Sequence, residues 1–465
     1  MELIISKNAK QNYLTKIVDI GTFHPHPDKE VNKLKCTYVD GYNIIVGIDS
    51  EPGKYAYFPT SSQINPDLLR FANLYRHGSL NSDPNQTGMF EDNGRVKAIR
   101  LRGCVSEGFL LPINVLKDWI LDSVNIDISD LLITNTEFDT FVHNGKNFWI
   151  SKKYVIKSGN AYTKGNNIKK FHGDSRVIDN QFHKHYDTII YRKEPDAICP
   201  EDIIHISSKW DGTSQISAFV LCNTKLNLKQ KIAKWLTGYE FNQYDYLVSS
   251  RNVVLNEDFE SKAFYGTGDY SSRMAAHEII KPHLIKGMTV YYELVGYTNE
   301  GKPWMKRSGK DMDYGCVPST TEYIEGKNYK IYIYRITLTN VDGVVHEFSP
   351  LEVQTWCKNH DLRACEQFYY GPAGDLYSDL YQTINSEDRI YVEDWNMQFI
   401  EHLANDKNFY MEEYSPDCVN KVPHEGIVLK KDDMISRAWK LKTFMHLNSE
   451  QADLDKGESN IEDES

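Results

Sequence analysis

The stretch "IHISSKWDGTSQISAF", residues 204–219, sets one lysine between a β-favouring run and a turn-forming Asp-Gly. Ile204, Ile206, Ser207 and Ser208 read as a strand ending at Lys209; Trp210, Asp211, Gly212, Thr213 and Ser214 follow, and "SQISAFVLC" reads as a second strand. Two readings compete. Asp-Gly is a common hairpin dipeptide, which would leave Lys209 at a solvated corner. Alternatively the amine is a nucleophile, held two residues from a carboxylate and three from a glycine. Lys-x-Asp-Gly arises by chance in roughly one chain in ten of this length, so the rest of the chain must decide.

At 465 residues the chain exceeds one typical domain, and two or three are expected. With 40% hydrophobic and 25% charged residues it has ample material for buried cores, and its 30 tyrosines favour strands and stacking surfaces. No apolar run approaches the ~18 residues of a membrane helix. The opening "MELIISKNAKQNYL" lacks the basic-then-apolar layout of a signal peptide. Eight scattered cysteines with no Cys-x-x-Cys pair suit a reducing compartment better than a zinc or disulfide framework. A monomer of the cytoplasm or nucleoplasm, neither secreted nor membrane-bound, is expected. The formal charge of −12 argues against indiscriminate coating of nucleic acid but not against a local basic patch.

Residues 12–115 alternate apolar and polar positions over short runs separated by turn signals, as in a small β-barrel or sandwich. Within "GRVKAIRLRGCVSEGFLLPI", Arg95, Lys97, Arg100 and Arg102 offer a basic side. That side is either an exposed strand with ordinary charges or a phosphate-contacting face on an OB-like barrel. Residues 1–130 are therefore read as an OB-like β-barrel domain and 131–174 as a connecting region. Two His-x-His pairs, His24/His26 and His183/His185, lack further ligands at metal-binding spacing. After residue 200 strands alternate with helices. "SSRMAAHEIIKPHL" reads as a helix capped by Ser, and "SPLEVQTWCKNHDL" as one opened by Ser349 with Pro350 at its first position. "GMTVYYELVGYT", "NYKIYIYRITLTN", "HEGIVLKK" and "SRAWKLKTF" read as strands. The class is α+β with a large antiparallel component. The end, "SEQADLDKGESNIEDES", holds seven acids against one lysine and is read, within the acidic tail 448–465, as a short helix or a frayed end, solvated in either case.

Five further marks fall on strands of the second half. Arg251 follows two serines in "YLVSSRNVVL"; Glu293 lies in "TVYYELVGY" and Tyr334 in "YKIYIYRIT"; Glu425-Gly426 opens "EGIVLK"; Lys440 and Lys442 alternate in "RAWKLKTF", so both point to one side. Taken singly, each has an ordinary explanation as a solvated glutamate, a core tyrosine or an edge-strand lysine. Together and in this order they resemble the collinear motifs of the covalent nucleotidyltransferase superfamily of ligases and capping enzymes. The resemblance covers residues 175–447 and implies an antiparallel-sheet-rich nucleotidyltransferase domain of ATP-grasp-like ligase type.

A lysine amine near its usual pKa of about 10.4 is protonated at neutral pH and cannot attack phosphorus until neighbouring cations or a metal favour its neutral form. The resemblance assigns Lys209 the covalent bond to AMP, Lys440 and Lys442 the phosphates, and Arg251 the phosphate and substrate side. Glu293 would take the ribose hydroxyls and Tyr334 would stack on adenine, with Tyr332 projecting to the same side. Asp211 and Glu425 would hold a magnesium or manganese ion, partly through water, and Gly212 completes the nucleotide-binding set.

About 23 residues follow Lys442, too few for the trailing barrel of DNA ligases and capping enzymes. A leading barrel-like module instead resembles one branch of ATP-dependent RNA ligases, as do "GRVKAIRLRG…SEGFLLP", "FHKHYDT" and "DYGCVP…YKIYIYRIT". The implied activity is ATP-dependent RNA ligation through a lysyl-AMP intermediate, acting on RNA or RNA/DNA nicked duplex with RNA on the 3′-hydroxyl side, as in nick sealing during RNA repair. The alternatives are a GTP-dependent capping-type guanylyltransferase, a non-catalytic RNA-binding protein and a DNA ligase, which would seal all-DNA nicks as readily. In place of the family's last motif, the basic loop of Lys302, Lys306, Arg307 and Lys310 is the candidate for orienting pyrophosphate.

Overall fold

The computed structural model describes residues 1–465 apart from 8, 10, 61, 156–175, 186–187, 225, 240, 252, 256–266, 385–388, 410, 434–436 and 456–465. The chain divides into two compact units, Met1–Lys157 with Arg192–Pro195, and Ser158–Tyr191 with Asp196–Ser465. Both are mixed and rich in sheet.

The first unit is built on a four-stranded antiparallel sheet in the order Gly108–Pro112, Gly53–Pro59, Thr15–Ile20, Glu137–Phe138. Ile17, Ala56, Phe58, Leu111 and Phe138 from these strands pack against Leu116, Trp119 and Ile120 of the helix Ile113–Val124. Among the described residues the ladders form separate sheets and close into no barrel, unlike the expected OB-like module. The unit also runs past residue 130. Glu137–Phe138 pairs with Thr15–Ile20, Thr140–His143 with Glu2–Ile4, and Ser151–Lys153 with Ser62–Ile64. The signal lay in Asn144-Gly145: both residues take positive φ, the hairpin conformation that joins Thr140–His143 to Lys146–Trp149. The expected connecting region therefore supplies strands of this unit as far as Lys153, and the remainder of it from 156 lies outside the described residues.

The basic strand expected over 95–102 is also different. Only Ile99–Leu101 is strand, folded against Cys104–Ser106 through Arg102-Gly103, both at positive φ. Arg95 is buried, with its guanidinium 5.1 Å from the Tyr154 ring, and Lys97 is half-buried; Arg100 and Arg102 are exposed. Strand length explains this. Arg95 and Lys97 precede the three-residue strand and Arg102 lies in its turn, so no strand is long enough to set all four side chains on one face.

The second unit holds two five-stranded sheets. The first has the order β1 (Ile189–Ile190), β10 (Arg437–Lys442), β9 (Gly426–Lys431), β2 (Ile203–Lys209), β8 (Gln367–Pro372). The second runs β4 (Asn242–Ser250), β3 (Thr213–Asn223), β5 (Met288–Gly296), β6 (Tyr329–Thr339), β7 (Val345–Glu347). Helix α1 (Leu228–Thr237) joins β3 to β4 in sequence. One face of the first sheet, with Ile204, Ile206, Ile427, Leu429, Trp439 and Leu441, packs on Trp395, Phe399, Ile400 and Leu403 of α4 (Trp395–Asn405). The second sheet buries Val290, Tyr292, Leu294, Ile331, Ile333 and Ile336 against α2 (Thr267–Ile280) and α3 (Pro350–Asn359). Ser349 caps α3 in a capping box with Glu352, as its sequence predicts. Helix α2 starts earlier than predicted, so Ser272 lies inside it, where its hydroxyl accepts from Asn299 N at 2.9 Å instead of capping. The chain then ends its described part in α5 (Phe444–Asp455), whose Ser449, Gln451 and Asp453 are buried rather than solvated. The expected tail is thus helix up to Asp455, and its last ten residues lie outside the described residues.

Burial draws the His277 imidazole down to about 4, and its Nδ1 lies 2.9 Å from Ser217 Oγ. A histidine whose folded pKa is depressed is neutral in the native state while the unfolded chain titrates near 6.5. Stability held above that value is therefore lost as pH falls toward 4. Lowering the pH from 7 to 5 should cost about 2 kcal/mol from this residue alone. Urea denaturation at the two pH values should show the loss, and His277→Gln should reduce the difference.

Candidate active site

Strands β2 and β3 do not pair with each other. Trp210-Asp211-Gly212 therefore closes no hairpin; it carries the chain from one sheet to the other, and Lys209 is the last residue of a central strand. Gly212 is required at the crossing, because a Cβ there would lie 2.3 Å from Leu294 O. Antiparallel register then gathers the distant motifs. Lys209 is opposite Gly426, and Gly426 is opposite Lys442, so residues 16 and more than 200 positions apart form one row across three strands. Gly426 has φ +129°, and a Cβ would meet Leu441 O at 2.1 Å, which explains glycine after Glu425. In the second sheet Ser214, Glu293 and Tyr332 form an equivalent row. Lys440 lies on an inner strand, since β10 sits between β1 and β9, so it is no edge-protecting device.

The residues below this row form a buried ion cluster. Lys209 Nζ is 2.8 Å from Glu425 Oε1, and Lys442 Nζ is 3.4 Å from the same oxygen. Asp211 is fully buried, and Arg307 grips it with both prongs, Nε to Oδ2 at 2.6 Å and Nη2 to Oδ1 at 2.7 Å. Its backbone N donates to Tyr314 Oη at 2.9 Å, which gives "DYGCVP" a supporting role. Burial pushes the Asp211 carboxyl up from the usual aspartate range, against the opposing pull of Arg307. Helix α5 closes the cluster. Its His446 Nδ1 is 3.6 Å from Asp211 Oδ2 and its Nε2 3.3 Å from Glu450 Oε1, while Glu450 takes Lys442 at 2.8 Å. Burial would raise the Glu450 carboxyl, but Lys442 and His446 outweigh it and hold the group well below the usual range.

Above the row opens a cleft of about 120 Å³ lined by Lys209, Gly212, Arg251, Glu293, Tyr334 and Lys440 among others. Six of the predicted residues thus meet in one place. Tyr334 takes its position from a bulge: pairing passes from Tyr291↔Arg335 to Tyr292↔Ile333, leaving Tyr334 as the extra residue. Its hydroxyl lies 2.8 Å from Ser214 Oγ and 3.2 Å from His185 Nδ1, and burial pushes its phenol up. Tyr332 is spent elsewhere, stacked on Trp210 at 3.7 Å and 11°. Of the two tyrosines, Tyr334 is the one that lines the cleft.

The remaining predicted residues stand apart from the cleft wall. Asp211, Glu425 and Lys442 belong to the ion cluster, and Arg95, Lys97, Arg100 and Arg102 to the first unit. Among the described residues no three His, Cys, Asp or Glu side chains gather to hold a metal. Asp211 does not fit as a direct ligand, because both its oxygens are committed to Arg307. Glu425 fits a single-carboxylate role, with water and phosphate supplying the other ligands. The basic loop differs too: Lys302 pairs with Glu300, Lys306 with Asp311, and Arg307 is buried on Asp211.

Sequence reasoning missed His446 and Glu450, although both follow Lys442 at four-residue spacing, and it missed Lys430, within "EGIVLK". Lys430 lines the cleft and donates to Tyr334 O at 2.6 Å; burial pushes its ammonium pKa down, and Glu347 counters in part. "FHKHYDT" contributes His185 and Thr188 to the cleft, while its Tyr186 and Asp187 lie outside the described residues.

No protein-family model matches the chain, and no curated protein does. Solved structures of an RNA ligase from Naegleria gruberi are similar to it. One substituted form with ATP and Mn is 15% identical, covering 94% of this chain and 99% of that chain with a TM-score of 0.49. A second, also with ATP and Mn, is 16% identical over 94% and 98% with the same TM-score, and the enzyme with PPi is 16% identical over 95% and 99% at 0.47.

Replacing Arg307 by Met strands the Asp211 carboxylate in a dry site, and breaking such a pair from one side costs about 3–5 kcal/mol. The denaturation midpoint of Arg307→Met should fall accordingly. Arg307→Lys, which keeps the charge but loses the fork, should fall by less.

Proposed function

We propose that the second unit is the adenylyltransferase of an ATP-dependent RNA ligase, with Lys209 as its nucleophile. The observation that carries this reading is the placement of Lys209 Nζ at the floor of a cleft, 2.8 Å from Glu425 and in register with Lys442, with Glu293, Tyr334, Arg251 and Lys440 on the walls. A lysine on a solvated corner needs none of these neighbours.

Three steps follow. The free amine of Lys209, its proton lost, attacks the α-phosphorus of ATP; an N–P bond forms, the bond to the bridging oxygen breaks, and pyrophosphate leaves. A terminal 5′-phosphate oxygen then attacks that phosphorus, the N–P bond breaks, and AMP moves to the strand end through a new P–O–P link. Finally a 3′-hydroxyl attacks the 5′-phosphorus, AMP leaves, and the strand is sealed. Tyr334 presents a neutral aromatic ring to the base, and Glu293 accepts from the ribose hydroxyls. Arg251, Lys440 and Lys442 oppose the negative charge that accumulates on phosphate oxygens as the leaving group departs. Magnesium or manganese, when bound, would neutralise phosphate charge and favour the amine over the ammonium form of Lys209. Among the protein's own groups Glu425 is the carboxylate to hold it.

The substrate is RNA, or a nicked RNA/DNA duplex with RNA on the 3′-hydroxyl side, whose 2′-hydroxyls and A-form shape distinguish it from DNA. The first unit would contact it, with Arg100 and Arg102 as its exposed cations in place of the longer basic strand and with the role of an OB-like module. The protein is read as a monomer of the cytoplasm or nucleoplasm. No helix among the described residues is long and apolar enough to cross a membrane.

Incubation with α-labelled ATP and magnesium should transfer label to the wild-type chain in a denaturing gel. Label from ATP but not GTP is expected, and Lys209→Ala should lose both labelling and sealing. Label from GTP alone would replace this reading with the capping-type one. RNA affinity without labelling would leave a binding protein.

A further inference from the structure

We propose that Glu450, on helix α5, competes with nucleotide phosphate for Lys442 and so sets the affinity of the cleft for polyphosphate. The inference deepens the proposed function and rests on it for the identity of the ligand.

Lys440 and Lys442 lie two residues apart on β10, yet only Lys440 is part of the cleft wall. The Lys442 amine is turned into the ion cluster, 2.8 Å from Glu450 Oε1 and 3.4 Å from Glu425 Oε1. Contact with a phosphate in the cleft would require it to leave Glu450. That carboxylate is not a chance surface neighbour. Helix α5 follows β10 after one residue, Thr443, which caps it: His446 N donates to Thr443 Oγ1, and Leu447 N to Thr443 O, both at 3.1 Å. His446 and Glu450 then fall on one face a turn apart, with His446 Nε2 3.3 Å from Glu450. One turn further, Asp453 accepts from Ser308 N at 3.2 Å, and Ser449 Oγ lies 2.9 Å from Ser308 Oγ. The polar face of α5 is therefore pinned to the hairpin that carries Arg307, which holds the backbone of Glu450 in place while the Lys442 amine moves.

Stability alone is a poor reason for this arrangement, since a half-buried ion pair rarely outperforms an apolar pair of the same shape. A fixed carboxylate beside a mobile ammonium does something an apolar pair cannot. It returns the lysine when phosphate departs, which weakens the hold on triphosphate and eases release of pyrophosphate.

The test measures binding of inorganic tripolyphosphate by calorimetry, and separately the KM and kcat of self-adenylylation, in wild type and Glu450→Gln. The amide keeps the shape and removes the charge. Tripolyphosphate Kd and the KM for ATP should fall about threefold to tenfold with no rise in kcat, the size of a partly screened pair. Glu450→Asp, which draws the carboxylate back by one methylene, should fall between the two and carries the test if the amide fails to fold. The effect should vanish in a Lys442→Gln background. An unchanged or weaker Kd in folded Glu450→Gln, or an equal gain without Lys442, overturns the inference. Tighter tripolyphosphate binding by Glu450→Gln in a chain that never labels from ATP would uphold it and sink the ligase reading instead.

Discussion

The register of three adjacent strands is the constraint from which the site follows. Lys209, Gly426 and Lys442 lie opposite one another on β2, β9 and β10, and a slip of one residue would turn every side chain on that row to the other face. The slip is prevented from below. Ile204, Ile206, Leu429, Trp439 and Leu441 alternate with the cleft residues and are sealed against α4, so any change of register would expose them. The apolar face thus fixes the position of an amine that never touches it. Ladder bonds alone could not do this, because they are equally satisfied in the shifted arrangement.

The second constraint is the crossing between sheets. Trp210 and Asp211 anchor it on opposite sides, one stacked on Tyr332, the other clasped by Arg307. Gly212 then lets the backbone approach Leu294 more closely than any side chain permits. Lys209 consequently ends its strand between two rigid sheets instead of on a loop. Its amine is positioned by packing and does not have to be ordered when a ligand arrives, which spares the entropy that a flexible nucleophile would lose.

Much of this was readable in the sequence because it depends on short-range pattern. The strands around Lys209, Glu293, Tyr334, Glu425 and Lys440 announce themselves by alternation, and six of the marked residues line one cleft. What was not readable depends on things alternation does not encode. The bulge at Tyr334 is a property of pairing with β5, and period-two counting left Tyr332 and Tyr334 equivalent. Arg307 sits in a two-residue strand, Lys306–Arg307, too short to read from alternation, and its partner lies 96 positions away, so it looked like a phosphate ligand. The closed barrel was inferred from strand content, whereas closure depends on which edges pair. In helix α5 the helix was readable but its burial was not: His446, Ser449, Glu450 and Asp453 have helical spacing, yet the acidic bias of the end made it look solvent-facing. The four-residue interval from Lys442 to His446 to Glu450 was the signal.

The charge balance of the cluster gives its parts an order in time. Before nucleotide arrives, the carboxylates of Asp211, Glu425 and Glu450 face Arg307, Lys209 and Lys442, an even balance with His446 between them. Attachment of AMP to Lys209 would remove one of these positive charges and add a negative phosphate beside Glu425. The balance then tips by two units in a site that has little water to absorb it. Lys442, already 3.4 Å from Glu425, is the nearest ammonium able to respond. A cation bound with the nucleotide would relieve the same deficit. On the proposed reading, Glu425 would be committed to its ammonium partner before the first step and released toward other cations after it. That sequence would account for a fully buried carboxylate at the centre of a site proposed to take an anion.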